Sequence, residues 1–180
     1  PELLFGDALF NYYAEWIREE YPLLRPIMVF FPRGDKKKGI EQLKDVARNA
    51  FYSRTEAQYY LMRILATEEK DIQGALQVGE YLNSQFPGNA YFHRYYARLL
   101  YQAGRYSLTE RVSLEILENV ETGKVGYEAN SGRYACFFLG HVNEVRRKYE
   151  PAKVYYKRGL DYAEESGATK MGYYYYSLLH

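Results

Sequence analysis

The chain has 180 residues, 47% of them hydrophobic, enough to bury a substantial core in one domain or in one continuous run of stacked repeats. Its 24 Lys and Arg against 23 Asp and Glu leave a formal net charge of +1, so no global field draws it to nucleic acid or to an anionic membrane. The single cysteine, Cys136, excludes an internal disulfide and reads as a packed thiol beside Phe137 and Phe138, while 22 tyrosines supply bulk to helix interfaces with hydroxyls that tolerate partial exposure.

In chain order, Phe10, Tyr13, Ala14 and Ile17 come first, at helical spacing, with Asp7 placed to cap their helix. The partner helix is expected over 38–51. Between them, 21–35 contains Pro22, Pro26 and Pro32 and cannot be one regular helix, so it reads as an insertion. It carries Ile27-Met28-Val29-Phe30-Phe31, the most apolar short run of the chain and far below the roughly 20 residues that a membrane helix needs. We expect it to fold back as a lid over the first helix pair; the alternative is an exposed patch for a partner or a membrane surface.

Two stretches then read as helix pairs: 56–86, closed by Pro87-Gly88-Asn89, and 90–120, with a turn at Ala103-Gly104-Arg105. Their corresponding positions lie 34 residues apart, Met62 with Tyr96, Ile72 with Tyr106 and Ala75 with Thr109, and a fixed period of this size marks a helical repeat. The next equivalent position, Ala152, follows Thr109 by 43 residues, so about nine extra residues around 121–126 make a longer connection or a longer helix. In this unit Cys136, Leu139, Gly140 and Asn143 lead to Tyr149, Ala152 and Tyr156. The small residues, Gly140 and Ala97 on the first helix of a pair and Ala152 and Ala75 on the second, let paired helices approach closely.

That order of large and small side chains resembles the tetratricopeptide repeat consensus. The resemblance covers nearly the whole chain: units at about 7–51 (with the 21–35 insertion), 56–87, 90–121 and 133–164, and an incomplete helix at 168–180. Arg63 and Glu41 depart from it at small positions, and only the second unit ends in the family's proline, Pro87. The resemblance implies one all-α domain over 1–180, a right-handed α-solenoid of stacked antiparallel helix pairs, in a bacterial protein. It also implies that first-helix side chains line a concave binding face. By this register they are Asn11, Glu15 and Arg18, then Tyr60 and Ile64, then Tyr91, Arg94, Arg98 and Tyr101, then Tyr134, Phe137 and His141.

Arg94 and Arg98, four apart on one helix face, can meet a carboxylate, a phosphate or an acidic peptide while tyrosines stack on an extended ligand; equally, they can pair with acidic residues of neighbouring helices. The Lys and Asn set with which some family members grip a C-terminal carboxylate is missing, since Tyr60 and Ile64, or Arg94 and Arg98, stand in its place. His93, His141 and His180 lack the four-residue spacing of a zinc pair, and Cys136 and His141, five apart, diverge by about 140° around a helix. Gly34-Asp35-Lys36-Lys37-Lys38 lacks the order of a phosphate loop, and Glu19-Glu20 and Glu164-Glu165 read as solvated helix ends.

No metal, cofactor or catalytic residue is therefore expected. The expected function is a non-catalytic scaffold that binds a peptide or helix of another protein in a tyrosine-rich groove. The alternative is a periplasmic or outer-membrane-associated module for glycans or small ligands. Homo-oligomerisation and the choice between cytoplasm and periplasm stay open. Because the chain stops inside an apolar helical pattern, we expect a piece of a longer, soluble protein.

Overall fold

Every residue described in the computed structural model, 3–167, lies in a helix or in a connection between helices. The incomplete helix expected at 168–180 falls outside the described residues. The chain divides between Val78 and Gly79 into two compact units. The first holds α1 (Leu4–Glu20), a 3-10 turn (Pro22–Leu24), α2 (Arg25–Met28), α3 (Lys36–Asn49) and α4 (Arg54–Thr67). Helix α5 (Ile72–Gln85) spans the division, and the second unit continues with α6 (Ala90–Gln102), α7 (Tyr106–Glu121), α8 (Ala129–Val145) and α9 (Tyr149–Glu165). Among the described residues no helix is long and apolar enough to cross a membrane.

In the first unit α3 packs against both α1 and α4. Asp35 caps α3, its carboxylate accepting from the Lys38 N–H at 3.0 Å. Four residues on, Gly39 faces α1 so closely that an added Cβ would lie 2.7 Å from the Tyr12 nitrogen and 2.8 Å from the Ala8 carbonyl oxygen. This crossing corrects the expected register. The close-contact position of the helix is Gly39 and not 41, and the face of α1 that it buries carries Ala8 and Tyr12, while Phe10 stays exposed. Asp7 does not cap α1, because the helix begins at Leu4 and leaves Asp7 inside its first turn without a capping hydrogen bond. Ile64, expected to face a groove, is buried in the core of this unit.

A polar cluster borders the same crossing. The buried Tyr12 hydroxyl donates to Glu69 at 2.7 Å, Trp16 Nε1 donates to Glu68 at 2.9 Å, and Lys36 bridges Glu69 at 3.3 Å and Glu19 at 3.0 Å. Burial, reinforced by the Glu69 carboxylate, holds the Tyr12 phenol far above its usual range, so it acts as a permanent donor. The insertion, by contrast, does not form the expected lid. Arg18 donates to the carbonyls of Met28 (2.8 Å) and Phe31 (3.1 Å), which draws the backbone of the loop against α1 and turns its apolar side chains outward. Ile27, Val29, Phe30 and Phe31 are all exposed.

The second unit stacks in sequence: α6 against α7, α7 against α8, α8 against α9, with α6 and α8 also in contact. The small residues lie where helices cross. A Cβ on Gly140 would meet the Tyr156 ring at 2.4 Å, one on Gly132 would meet the Tyr162 ring at 2.7 Å, and Thr109 and Ala152 are buried on the partner helices. The turn that joins two paired helices recurs too. Lys70, Gly104 and Arg147 adopt the left-handed conformation (φ 57°, 69° and 59°), spaced like the 34- and 43-residue steps of the side-chain pattern. After the latter two, the N–H groups of Arg105 and Lys148 bond back to Leu100 and Asn143, each at 2.9 Å. The extra residues serve both expected purposes, a connection over 122–128 and an α8 that begins at Ala129, ahead of the predicted start at 133.

Gly140→Val is predicted to lower the unfolding free energy by at least about 2 kcal/mol, since the buried Tyr156 ring has nowhere to retreat. Gly88→Ala, where an added Cβ meets nothing within 4 Å, should change it by less than about 0.5 kcal/mol. Urea denaturation of the two variants checks the contrast; equal, small effects would mean that α8 and α9 do not cross at Gly140.

Candidate functional site

Helix α6 starts because Pro87-Gly88 breaks the chain and Asn89 then caps it, the side-chain oxygen accepting from the N–H groups of Tyr91 (3.0 Å) and Phe92 (3.1 Å). From that start, Phe92, His93, Tyr96, Ala97, Leu99 and Leu100 point into the core, and Tyr91, Arg94, Tyr95 and Arg98 fall on the face toward α8. These last four, with Asn130 and Tyr134 of α8, line an open pocket of about 190 Å³. Four of the twelve residues expected to line the binding face, Tyr91, Arg94, Arg98 and Tyr134, are therefore brought together.

The electrostatics of the pocket are set by its arginines. Arg94 is half-buried and donates to the Ser131 hydroxyl at 2.6 Å. Burial lowers its proton affinity below the ordinary arginine value, with Tyr134 and Tyr127 acting in the opposite direction. Arg98 lies with its guanidinium 5.8 Å from the Tyr95 ring centroid. Among the described residues neither arginine has a carboxylate within ion-pair distance, although Glu128 at the start of α8 is near enough to favour the charged form of Arg94. Aromatic walls stand around them: Tyr91 and Tyr95 are 5.8 Å apart at 32°, and the Arg133 guanidinium sits 4.9 Å from the Tyr134 ring.

The other expected residues are placed differently. Tyr101 packs on Phe138 (5.1 Å), Phe137 (6.0 Å) and His141 (5.1 Å), and Phe137 stacks on His141 at 6.4 Å, so these side chains form an aromatic cluster at the end of the same two helices. Tyr60 belongs to the first unit, where its ring lies 5.9 Å from Phe5. There Asn11 donates to Gln42 at 2.8 Å, and Arg18, 3.7 Å from Glu15, serves the loop carbonyls. Sequence reasoning missed Tyr95 and Asn130. The first stands one helical turn from Tyr91; the second was lost by starting α8 four residues late.

Below the pocket lies a buried polar pair. His93 Nδ1 and the Tyr127 hydroxyl share a hydrogen bond of 2.9 Å, and Nε2 lies 3.7 Å from Glu115, a carboxylate too solvated and distant to hold a second proton on the ring. Burial, aided by the nearby Lys124 charge, pushes His93 down to about 4. Cys136 is fully buried, and the same desolvation pushes its thiol up to about 12, which leaves no nucleophile beside His141. Among the described residues no three His, Cys, Asp or Glu side chains converge as metal ligands. No family model, curated protein or solved structure is similar enough to this chain to count as a match.

The His93 value has a consequence in solution. Unfolded, the ring binds a proton from about pH 6.5 downward; folded, only near pH 4, so the stability it contributes is present above pH 6.5 and drains away as the pH falls toward 4. Between pH 7 and pH 5 the wild-type chain should lose about 2 kcal/mol more than His93→Asn, which keeps a hydrogen-bonding group for Tyr127 without the titration. Urea curves at the two pH values decide it; parallel losses would place His93 in water.

Proposed function

We propose that this chain is a non-catalytic interaction module of the tetratricopeptide kind, its helix pairs belonging to a right-handed solenoid, and that the pocket between α6 and α8 receives an anionic group of an extended protein segment. The observation that carries the reading is the pair of arginines, Arg94 and Arg98, which line an aromatic pocket with no ion pair among the described residues. A half-buried guanidinium satisfied by a neutral hydroxyl retains most of its desolvation cost, and an incoming carboxylate offsets it through charge-assisted hydrogen bonds. Tyr91, Tyr95 and Tyr134 add flat faces on which a peptide backbone or side chain can lie. The recurring left-handed turns and the small residues at helix crossings support the repeat reading.

A second reading has its own support. The pocket is small and three of its six walls are tyrosine, with Asn130 as a neutral hydrogen-bonding group, a lining that also suits a sugar ring.

An array of short acidic peptides, followed by fluorescence polarisation on the best binder, separates the two. Arg94→Ala with Arg98→Ala should weaken that binder by at least about tenfold and leave the circular dichroism spectrum unchanged, because each charge-assisted hydrogen bond is worth about 1.5–3 kcal/mol. Equal affinity in the double variant would remove the pocket from the account. Binding of a neutral oligosaccharide, insensitive to both substitutions, would favour the glycan reading instead.

A further inference from the structure

The loop between α1 and α3 joins two features that ordinary surface loops do not share. Its apolar side chains stand out into solvent, Leu23 being 93%, Val29 78% and Phe30 87% exposed, with Ile27 and Phe31 more than half exposed. It is also basic within a balanced chain: from Tyr21 to Lys38, Arg25, Arg33, Lys36, Lys37 and Lys38 face one carboxylate, Asp35, which is engaged in capping α3. Lys36 is taken up by Glu19 and Glu69, whereas Arg33, Lys37 and Lys38 are exposed and form no ion pair among the described residues. Arg18, Arg25 and Arg33 border a cleft of about 510 Å³ that also holds Glu15 and Glu19 and touches Val29 and Phe31, so the unpaired cations outside it, Lys37 and Lys38, carry the local positive charge with Arg33.

We propose that this loop docks the protein on an anionic lipid bilayer, with Leu23, Ile27, Val29 and Phe30 entering the interface and Arg25, Arg33, Lys37 and Lys38 meeting lipid phosphates. Two observations favour a bilayer over a protein groove. The exposed residues are consecutive, so Val29, Phe30 and Phe31 project in divergent directions around the chain; a flat partner covers some of them, whereas acyl chains surround them all. Part of the loop backbone is also satisfied by the protein itself: Phe30 and Phe31 donate to the Ile27 and Met28 carbonyls (3.2 and 3.3 Å), and Arg18 of α1 holds the carbonyls of Met28 and Phe31. Internal satisfaction of this kind is what a segment needs where water is scarce. The whole-chain charge of +1 gives no such attraction, so the local cluster supplies it, with a reach of about 8–10 Å at physiological salt.

The test is co-sedimentation of the 180-residue chain with vesicles of phosphatidylglycerol and phosphatidylethanolamine, and separately of phosphatidylcholine. Partition into the anionic vesicles is expected, falling about tenfold or more for Val29→Ser with Phe30→Ser, for Arg33→Glu with Lys37→Glu, and on phosphatidylcholine. All the substituted side chains are exposed, so each variant keeps the wild-type circular dichroism spectrum. Phe30→Trp should show an emission component that shifts to the blue and is quenched by bromine-substituted acyl chains, a signal the native Trp16 does not give. Three results would overturn the proposal: no partition into anionic vesicles, equal partition of the Val29→Ser, Phe30→Ser variant, or an oligomer without vesicle binding that falls to monomer in that variant, which makes the loop a contact between copies.

Discussion

Helices in this protein are held at distances that only a missing side chain permits, and most of its other features follow from that. At three crossings a glycine of one helix lies against a tyrosine of its partner: Gly39 against the backbone and Cβ of Tyr12, Gly132 against the ring of Tyr162, and Gly140 against the ring of Tyr156. In each case an added Cβ would sit under 3.0 Å from its neighbour, closer than side chains pack. The glycines accept a loss of helix propensity of about 1 kcal/mol each, and the packing of a large aromatic ring offsets it. The abundance of tyrosine then has a structural meaning. Tyr12 and Tyr156 are buried, and their hydroxyls find carboxylates, Glu69 and Glu144, at 2.7 and 2.6 Å.

The same constraint positions the candidate site. Because Gly132 and Gly140 seat α8 on α9, the opposite face of α8 carries Asn130 and Tyr134 to the arginine face of α6. Ser131, one residue before Gly132, becomes the partner of Arg94, so a backbone fixed by packing also fixes the direction of a guanidinium. Deeper in α6, His93 and Tyr127 complete a neutral hydrogen bond, which keeps positive charge on the pocket side of the helix and out of the core. The site is built from rigid helices that aim a few polar groups at one place.

The spacing of the paired helices was legible in the sequence of the second unit and less so in the first. Gly140 and Ala152, chosen for size at helical spacing, do lie at a crossing, and the 34- and 43-residue steps reappear in the left-handed turns at Lys70, Gly104 and Arg147. The turn signal could be read at Gly104; at Lys70 and Arg147 a side chain disguises the same conformation. In the first unit the prolines separated α1 from α3 and removed the spacing that would have aligned them, so Phe10 and position 41 were taken for contact positions that belong to Tyr12 and Gly39. The loop at 27–31 was misjudged on composition. Hydrophobicity argued for burial, but the Arg18 hydrogen bonds that turn those side chains outward connect residues 10 and 13 apart and leave no local pattern. Of the pocket, Tyr91, Arg94, Arg98 and Tyr134 were readable, because i, i+3 and i, i+4 spacing reports a shared helix face; Asn130 depended on where α8 begins.

The central proposal is that Arg94 and Arg98 receive an anion, whereas the ion-paired Arg146 and Arg158 hold helices together. Nuclear magnetic resonance of the guanidinium Nε–H groups during titration with a short acidic peptide observes this directly. The account predicts saturable shifts at Arg94 and Arg98, with Arg146 and Arg158, already paired to Glu110 and Glu121 at 2.6 and 2.5 Å, staying in place. Shifts confined to Arg146 and Arg158, or no shift at Arg94 up to saturation, would contradict it.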